Sequence, residues 1–234
     1  MKSVFFLITA IFFFACRNTN EEETQVVIVP DTIEIRKIEP PKPKPVTIAP
    51  DYDTTQWVEL ILLDSSIILD LKYATNDNFV KEQLYDCGRC FLRHEAARQI
   101  VKANKKLMDK GYRFKMLDCY RPLPIQQWLW DKFQNASYVT PPSKGSMHNR
   151  GLAVDLTIVD KDGKELDMGT PFDFFGREAH HTYTDLSDTI IDNRLLLKNM
   201  MEAVGFRPIR TEWWHYSYSK KMYALSDMEW KCIE

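Results

Sequence analysis

Residues 151–159, GLAVDLTIV, restrict the fold of this chain more than any other segment. The alternation predicts a buried strand with Leu152, Val154, Leu156 and Ile158 on one face and Ala153, Asp155 and Thr157 on the other. A buried aspartate without a partner costs several kcal/mol or is driven to its neutral form. The fold must therefore give Asp155 a compensating partner, and a cation is one candidate.

The first 15 residues have the pattern of a secretory signal peptide. Basic Lys2 precedes an apolar run over residues 4–14, which is too short for a comfortable transmembrane helix. A small residue directly before Cys16 resembles a bacterial lipobox, although two phenylalanines stand where leucine and a small residue are usual. We expect Cys16 to become the lipidated first residue and to anchor the protein in a membrane. The alternative is an ordinary cleaved signal followed by an incidental cysteine.

Residues 16–50 have the composition of a tether. The stretch RNTNEEETQ is polar and acidic, and EPPKPKPV favours polyproline II, which acts as a semi-rigid spacer. Residues 51–234 remain, and they have the size of one domain. The formal net charge of −2 at pH 7 provides no electrostatic case for binding nucleic acid or an acidic membrane surface.

Apolar periodicity and turn residues predict a mixture of helices and strands in residues 51–234. We expect extended segments at 57–63 and 67–75, strands at 112–119, at 151–159 and from about 213, and helices at 95–110, 124–134 and 188–203. Ser187 is the expected N-cap of the last helix, and residues 160–163 are an expected hairpin turn. The elements do not alternate as in βαβ units. They therefore favour an α+β domain with a small, largely antiparallel sheet packed with helices.

Four cysteines remain if Cys16 is lipidated: Cys87, Cys90, Cys119 and Cys232. An exported domain can form disulfides, so one or two structural bonds are expected. Four cysteines allow three pairings, and the sequence does not choose between them. The C-x-x-C spacing of the first two is only a weak indication of zinc or redox chemistry.

His148 and His215 each have a carboxylate that could share a site with them. Asp155 follows His148 after a turn at Gly151, and Glu212 precedes His215 by three residues. Two imidazoles and Asp155 would provide three zinc ligands and leave a position for water, which a second carboxylate could deprotonate. The spacing alone is equally compatible with core or surface histidines. Because the chain has no H-E-x-x-H motif, the common zincin arrangement is excluded.

Several segments together resemble the zinc D-alanyl-D-alanine dipeptidases, the VanX-type enzymes. They are SMHNRGLAVDLT (146–157), EWWHY (212–216) and the arginine of CYRP (119–122), with LKYATNDNF (71–79), MGTPFDF (168–174) and REAHH (177–181) in the same order. The S-x-H-x-x-G-x-A-x-D element is shared with a wider group of cell-wall carboxypeptidases and endopeptidases. The glutamate, rather than aspartate, ahead of W-x-H and the other segments together narrow the resemblance to the dipeptidases.

This resemblance implies one zinc ion per chain, held by His148, Asp155 and His215. Glu212 would be the general base that later protonates the leaving amine. Arg121 would stabilise the oxyanion of the tetrahedral intermediate, and a purely structural ion pair is its alternative. Because residues at i and i+3 point to opposite faces of a regular strand, a bend or bulge must lie between or before Glu212 and His215.

Three further residues would line the dipeptide pocket by the same resemblance: Tyr73, Ser146 and Asp173. Asp173 would bind the substrate ammonium, and a loop-capping role is its alternative. His180 and His181 belong to the family pattern but are not expected to bind the metal, because neighbours on an extended chain point apart.

Three functions follow as hypotheses. The first is a zinc dipeptidase that hydrolyses D-Ala-D-Ala in wall turnover or scavenging. The second is a murein carboxypeptidase or endopeptidase of the same fold, and the third is a non-catalytic, lipid-anchored domain that binds peptidoglycan. The lipobox predicts a cell-envelope location for each of them. Arg17 in place of Asp after Cys16 favours the outer membrane, with the domain facing the periplasm or the surface.

Overall fold

The structure, a computed structural model, describes residues 50–232. The expected signal peptide, the lipidation site Cys16 and the tether up to residue 49 lie outside the described residues. Within residues 50–232, each helix is too short or too polar to cross a membrane.

A five-stranded sheet forms the centre of the domain. Its strands are β2 (Ile68–Leu69), β4 (Tyr112–Asp118), β5 (Ala153–Asp160), β6 (Phe206–Ile209) and β7 (Glu212–Tyr218), in the order β2-β4-β5-β7-β6. Neighbouring strands are antiparallel except for β2 and β4, which are parallel. Strands β1 (Trp57–Glu59) and β3 (Phe91–Arg93) form a separate antiparallel pair. The predicted α+β class with a largely antiparallel sheet is confirmed.

Within residues 50–232, four α-helices accompany the strands: α1 (Leu60–Leu63), α2 (His94–Met108), α3 (Leu123–Lys132) and α4 (Asp188–Glu202). Helix α2 buries the apolar stripe seen in the sequence, including Ala96, Ile100 and Leu107. Helix α4 begins as expected, because the Ser187 hydroxyl accepts a hydrogen bond from the Ile190 N–H at 3.4 Å. The three predicted helices are therefore present, and their ends differ from the predicted ones by at most two residues.

The prediction of extended structure at 57–63 and 67–75 was wrong for much of each segment. Residues 60–63 form helix α1, only Ile68–Leu69 pair as a strand, and Lys72–Ala74 form a 3₁₀ turn. The cause lies in the run LILL, because an uninterrupted apolar stretch has no periodicity that separates helix from strand.

Strand β5 lies in the middle of the sheet, and residues 153–159 are all buried. Val154, Leu156 and Ile158 pack in the main core with residues of α2 and α4. Asp155 and Thr157 alternate with them and face the opposite side of the sheet. The helices thus cover one face of β5, and the other face is free to carry polar chemistry.

Two disulfide bonds, Cys90–Cys119 and Cys87–Cys232, resolve the pairing that the sequence left open. The second bond fastens residues 219–232, which we call the C-terminal strap. The strap runs along the loop that carries His148: the Ser226 N–H donates to the Asn149 carbonyl at 2.9 Å. The Arg150 guanidinium donates to the Tyr223 carbonyl at 2.6 Å.

Candidate active site

His148, Asp155 and His215 meet on the polar face of β5. Asp155 and His215 are direct partners across β5 and β7, and His148 comes from a 3₁₀ turn over residues 148–150. His148 Nε2 lies 3.1 Å from His215 Nδ1 and 3.3 Å from Asp155 Oδ1, and the last two atoms are 3.0 Å apart. The structure therefore places one potential ligand atom from each residue at the corners of a small triangle.

Each imidazole is oriented by a hydrogen bond on its far nitrogen. His148 Nδ1 lies 2.7 Å from the Cys119 carbonyl, and His215 Nε2 lies 2.9 Å from the Ser217 hydroxyl. When these nitrogens carry the protons, His148 Nε2 and His215 Nδ1 keep their lone pairs for a metal. Partners of this kind are the usual outer support of histidine ligands.

The triangle fits zinc. Bonds of about 2.0–2.1 Å at tetrahedral angles place ligand atoms about 3.3 Å apart, close to the three observed separations. Two nitrogens and one oxygen are typical zinc donors, whereas Mg²⁺ and Ca²⁺ prefer a larger set of oxygens. Three protein ligands leave a fourth position open, as in catalytic rather than structural zinc sites.

Two imidazoles compensate the burial of the Asp155 carboxylate in β5. Burial opposes its ionisation, but His148 and His215 outweigh burial and hold the pKa of Asp155 below its usual range. Burial likewise opposes protonation of His148, and Asp155 outweighs it and raises the pKa of that imidazole. Ionisation of Asp155 is thus stabilised by the same two side chains that would share a cation with it.

Gly151 makes the approach of His148 to Asp155 possible. Its φ of +67° lies in the left-handed region, where residues with a Cβ are strained. A Cβ at this position would also lie 2.3 Å from Cζ3 of Trp57. Both observations show why glycine connects the turn to β5.

Glu212 reaches the site through an irregularity in β7. Pro208 pairs with Tyr216, yet the next residue, Ile209, pairs with Glu212 rather than with His215. This register shift is the bulge that the i, i+3 spacing required. Glu212 is buried and lines the same cavity as the metal triangle, and burial raises its pKa to about 8. A carboxylate with a raised pKa is suited to accept and return a proton.

Arg121 also lines this cavity, and its guanidinium is held from behind. Its Nε and Nη2 donate to Asp118 Oδ2 at 3.0 and 2.7 Å, and its Nη1 donates to Gln126 Oε1 at 3.0 Å. The guanidinium lies 5.0 Å from the centre of the Tyr73 ring, and Nη2 is 4.0 Å from Asp155 Oδ2. Arg121 thus forms the structural ion pair with Asp118 that was its alternative role, and the same guanidinium also lines the cavity.

The expected substrate residues Tyr73, Ser146 and Asp173 line the cavity as well, which has a volume of about 240 Å³. The Tyr73 hydroxyl donates to Asp173 Oδ2 at 2.9 Å, and burial raises the pKa of Asp173 to about 8. Asp173 has a φ of +58°, uncommon for a residue other than glycine. Ser146 Oγ accepts the His148 N–H at 3.2 Å, which leaves its own O–H free to donate.

The two adjacent histidines lie apart from the triangle. Both histidines are half-buried, and His180 lies near Arg210, with 3.3 Å between its Nδ1 and the guanidinium Nη1. Neither belongs to the group of residues that could hold a metal within the described part of the chain.

Three residues that support the site were missed at the level of sequence. Ser217 follows His215 by two, so the strand period places both on one face. Asp118 ends a buried strand, and the need of a buried carboxylate for a partner, which was recognised for Asp155, applies to it equally. Gln126 lies on α3 and has no comparable sequence signal, because only the fold brings it to Arg121.

Known proteins match this chain over nearly all of the described residues. A family model described as D-Ala-D-Ala dipeptidase (Peptidase_M15) matches residues 53–232. The D-alanyl-D-alanine dipeptidase of Escherichia coli strain K12 is 35% identical over 182 residues, 77% of this chain and 94% of that protein. The D-alanyl-D-alanine dipeptidase of Enterococcus faecium is 33% identical over 178 residues, 67% of this chain and 88% of that protein. A solved LdcB LD-carboxypeptidase matches at a TM-score of 0.39 and 19% identity, covering 72% of this chain and 70% of that one.

Proposed function

Because this chain belongs to the D-Ala-D-Ala dipeptidase family of metallopeptidases, we propose that it is a zinc enzyme that hydrolyses D-alanyl-D-alanine to two D-alanines. One observation carries the proposal. The metal triangle, Glu212, Arg121 and Asp173 all line a single cavity of about 240 Å³. That volume is below the range of about 300–1,000 Å³ typical of ligand pockets, which favours a small substrate such as a dipeptide.

Four side chains at the cavity have roles that their surroundings support. When bound, zinc polarises the scissile carbonyl and lowers the pKa of water. Glu212 takes the proton of the attacking water and delivers it to the nitrogen of the leaving D-alanine as the amide bond breaks. The free N–H groups of Arg121 stabilise negative charge on the carbonyl oxygen. Asp173, oriented by Tyr73, receives the substrate ammonium, and Ser146 has an O–H to offer the substrate.

The direct test is hydrolysis by the purified full chain, assayed with zinc, with chelator, and with zinc restored. The substrates compared are free D-Ala-D-Ala, L-Ala-L-Ala and a muropeptide that ends in D-Ala-D-Ala. We expect chelator-sensitive release of D-alanine from the free D,D-dipeptide at the highest kcat/KM. Preferential cleavage of the muropeptide would replace this proposal with a murein carboxypeptidase, and no cleavage of either would favour a binding domain.

Replacing Arg121 with alanine is expected to lower kcat by about 10²–10³-fold and to change KM much less, because the guanidinium acts on charge that develops in the transition state. Steady-state kinetics separate the two effects. Arg121→Lys is the companion variant, because it keeps the charge beside Asp118 and loses the planar fork. An effect on KM alone would assign Arg121 to ground-state binding.

We also propose that the enzyme works outside the cytoplasm, anchored through Cys16 and facing the wall. The apolar run ending at Cys16 supports the anchor, and two disulfide bonds support an oxidising compartment. The dipeptide available there comes from wall turnover or from the surroundings. A turnover or scavenging role is therefore favoured over removal of D-Ala-D-Ala before it enters wall precursors.

Fractionation of the native host tests this placement. Wild-type protein is expected in the membrane fraction with the mass of a lipid-modified cysteine. The Cys16→Ala variant is expected to be released or to retain its signal, because two or more acyl chains supply stable anchoring and none would be attached. Wild-type protein found free in the cytoplasm would refute the placement.

A further inference from the structure

Asp118 is the most enclosed carboxylate next to the cavity, with no exposed surface. It is the last residue of β4, at a point where the pairing with β5 shifts register. Its Oδ2 accepts both the Nε and Nη2 donors of Arg121, and its Oδ1 accepts the Tyr85 hydroxyl at 3.2 Å. Both oxygens of Asp118 are thus engaged within the protein, and Asp118 is not among the residues that line the cavity.

Arg121 keeps two N–H donors that are not used within the protein. A guanidinium has five N–H groups in a fixed fork. Two of those of Arg121 are taken by Asp118 and one by Gln126, whose own amide donates to the Thr140 carbonyl at 2.7 Å. One N–H on each terminal nitrogen remains. Because the fork is planar, fixing three donors also fixes the directions of the two that remain.

The same short segment supports a metal ligand. The Cys119 carbonyl next to Asp118 accepts from His148 Nδ1, and Asp118 Oδ2 lies 3.6 Å from that nitrogen. The disulfide Cys90–Cys119 ties the segment to β3 from the other side. Residues 118–121 therefore set the orientations of both the arginine and one imidazole.

We propose that Asp118 is a positioning residue for catalysis, which aims the two free N–H groups of Arg121 at the carbonyl oxygen of the substrate. This inference rests on the proposed dipeptidase function. It assigns Asp118 no contact with substrate and no proton transfer.

Asp118→Asn tests the proposal, because the amide preserves shape and removes the charge that holds the fork. We expect kcat for D-Ala-D-Ala to fall by about 10–100-fold with KM changed less than about threefold, since only transition-state stabilisation is weakened. Zinc content is expected to stay at one per chain. Asp70→Asn is the matched control: Asp70 pairs with Lys72 and Lys115 outside the cavity, and its loss is expected to leave kcat unchanged.

A double-mutant cycle distinguishes positioning from general support. In an Arg121→Ala background, Asp118→Asn is expected to change kcat by less than about threefold, because the group that it aims is absent. In the double variant both positions 118 and 121 hold uncharged residues, so no buried charge is left without a partner. Multiplication of the two separate losses, or wild-type kcat in Asp118→Asn, would overturn the proposal.

A measurement that needs no turnover separates this proposal from the dipeptidase assignment. Hydrogen exchange of the Arg121 Nε–H, followed by NMR in the zinc-loaded chain, is expected to be at least about tenfold faster in Asp118→Asn, because a charge-assisted bond becomes a neutral one. An unchanged rate in the folded variant refutes positioning. If wild type fails to hydrolyse D-Ala-D-Ala, the proposed function falls, and the exchange rate still decides whether Asp118 holds Arg121.

Discussion

Replacing His215 with alanine is expected to remove the metal from the protein and abolish hydrolysis. Only His148 and Asp155 would remain as protein ligands, and two ligands are too few for a stable zinc site. His215 sits mid-strand with backbone pairing to Asp155 that alanine retains, so the sheet is expected to survive. Metal analysis of the purified variant by mass spectrometry, together with circular dichroism, measures both properties.

His180→Ala is the matched control for this loss, because it removes an imidazole of the same sequence pattern that lies outside the triangle. It is expected to keep one zinc per chain and wild-type turnover. Zinc is also expected to raise the Tm of wild type and of this control, since a ligand that binds only the folded state stabilises it. The Tm of His215→Ala should not respond. Full metal content in His215→Ala would refute the ligand assignment.

The second large effect is expected at Glu212, without loss of metal. Glu212→Ala and the isosteric Glu212→Gln should retain one zinc per chain and lose about 10²–10⁴-fold in kcat, the usual contribution of a general base. The glutamine variant is the sharper one, because it keeps the shape of a buried side chain and removes only its basicity. Steady-state kinetics and metal analysis on the same preparation separate chemistry from metal binding.

A carboxylate outside the cavity provides the comparison. Glu165 pairs with Lys115 at 2.8 Å and does not line the cavity, so Glu165→Gln is expected to leave kcat unchanged. Loss of zinc from Glu212→Gln would make Glu212 a ligand rather than a base. Turnover at the wild-type rate would transfer the role of base to another group.

The free-energy cost of burying Asp155 was a stronger guide to the site than any single motif. Asp155 in a buried strand required a partner, and the structure surrounds it with two imidazoles. The bulge before His215 likewise followed from the spacing of two side chains that must share one site. Helices α2 and α4 were predictable because local signals, namely apolar periodicity, capping residues and a terminating glycine, indicate the same helix bounds.

Other features depend on contacts between distant parts of the chain. Strands β3 and β6 are short and take their pairing from neighbours, and α1 arises from an apolar run without periodicity. The disulfide partners are separated by 29 and 145 residues, and no local pattern encodes either pairing. The fork of Arg121 was missed for the same reason, because Gln126 reaches it only through the packing of α3.

The C-terminal strap has a consequence for the order in which the enzyme is made. The three proposed metal ligands lie N-terminal to residues 219–232, yet the loop with His148 exchanges hydrogen bonds with this segment: the Ser226 N–H donates to Asn149 of the loop, and Arg150 of the loop donates to the Tyr223 carbonyl. Because synthesis proceeds from the N-terminus, all three of these residues are polymerised before the strap that supports the His148 loop. The support of the His148 loop is therefore complete only once the strap and its disulfide to Cys87 have formed. Tags or trimming at the C-terminal end would act on catalysis from outside the cavity, through the support of the His148 loop.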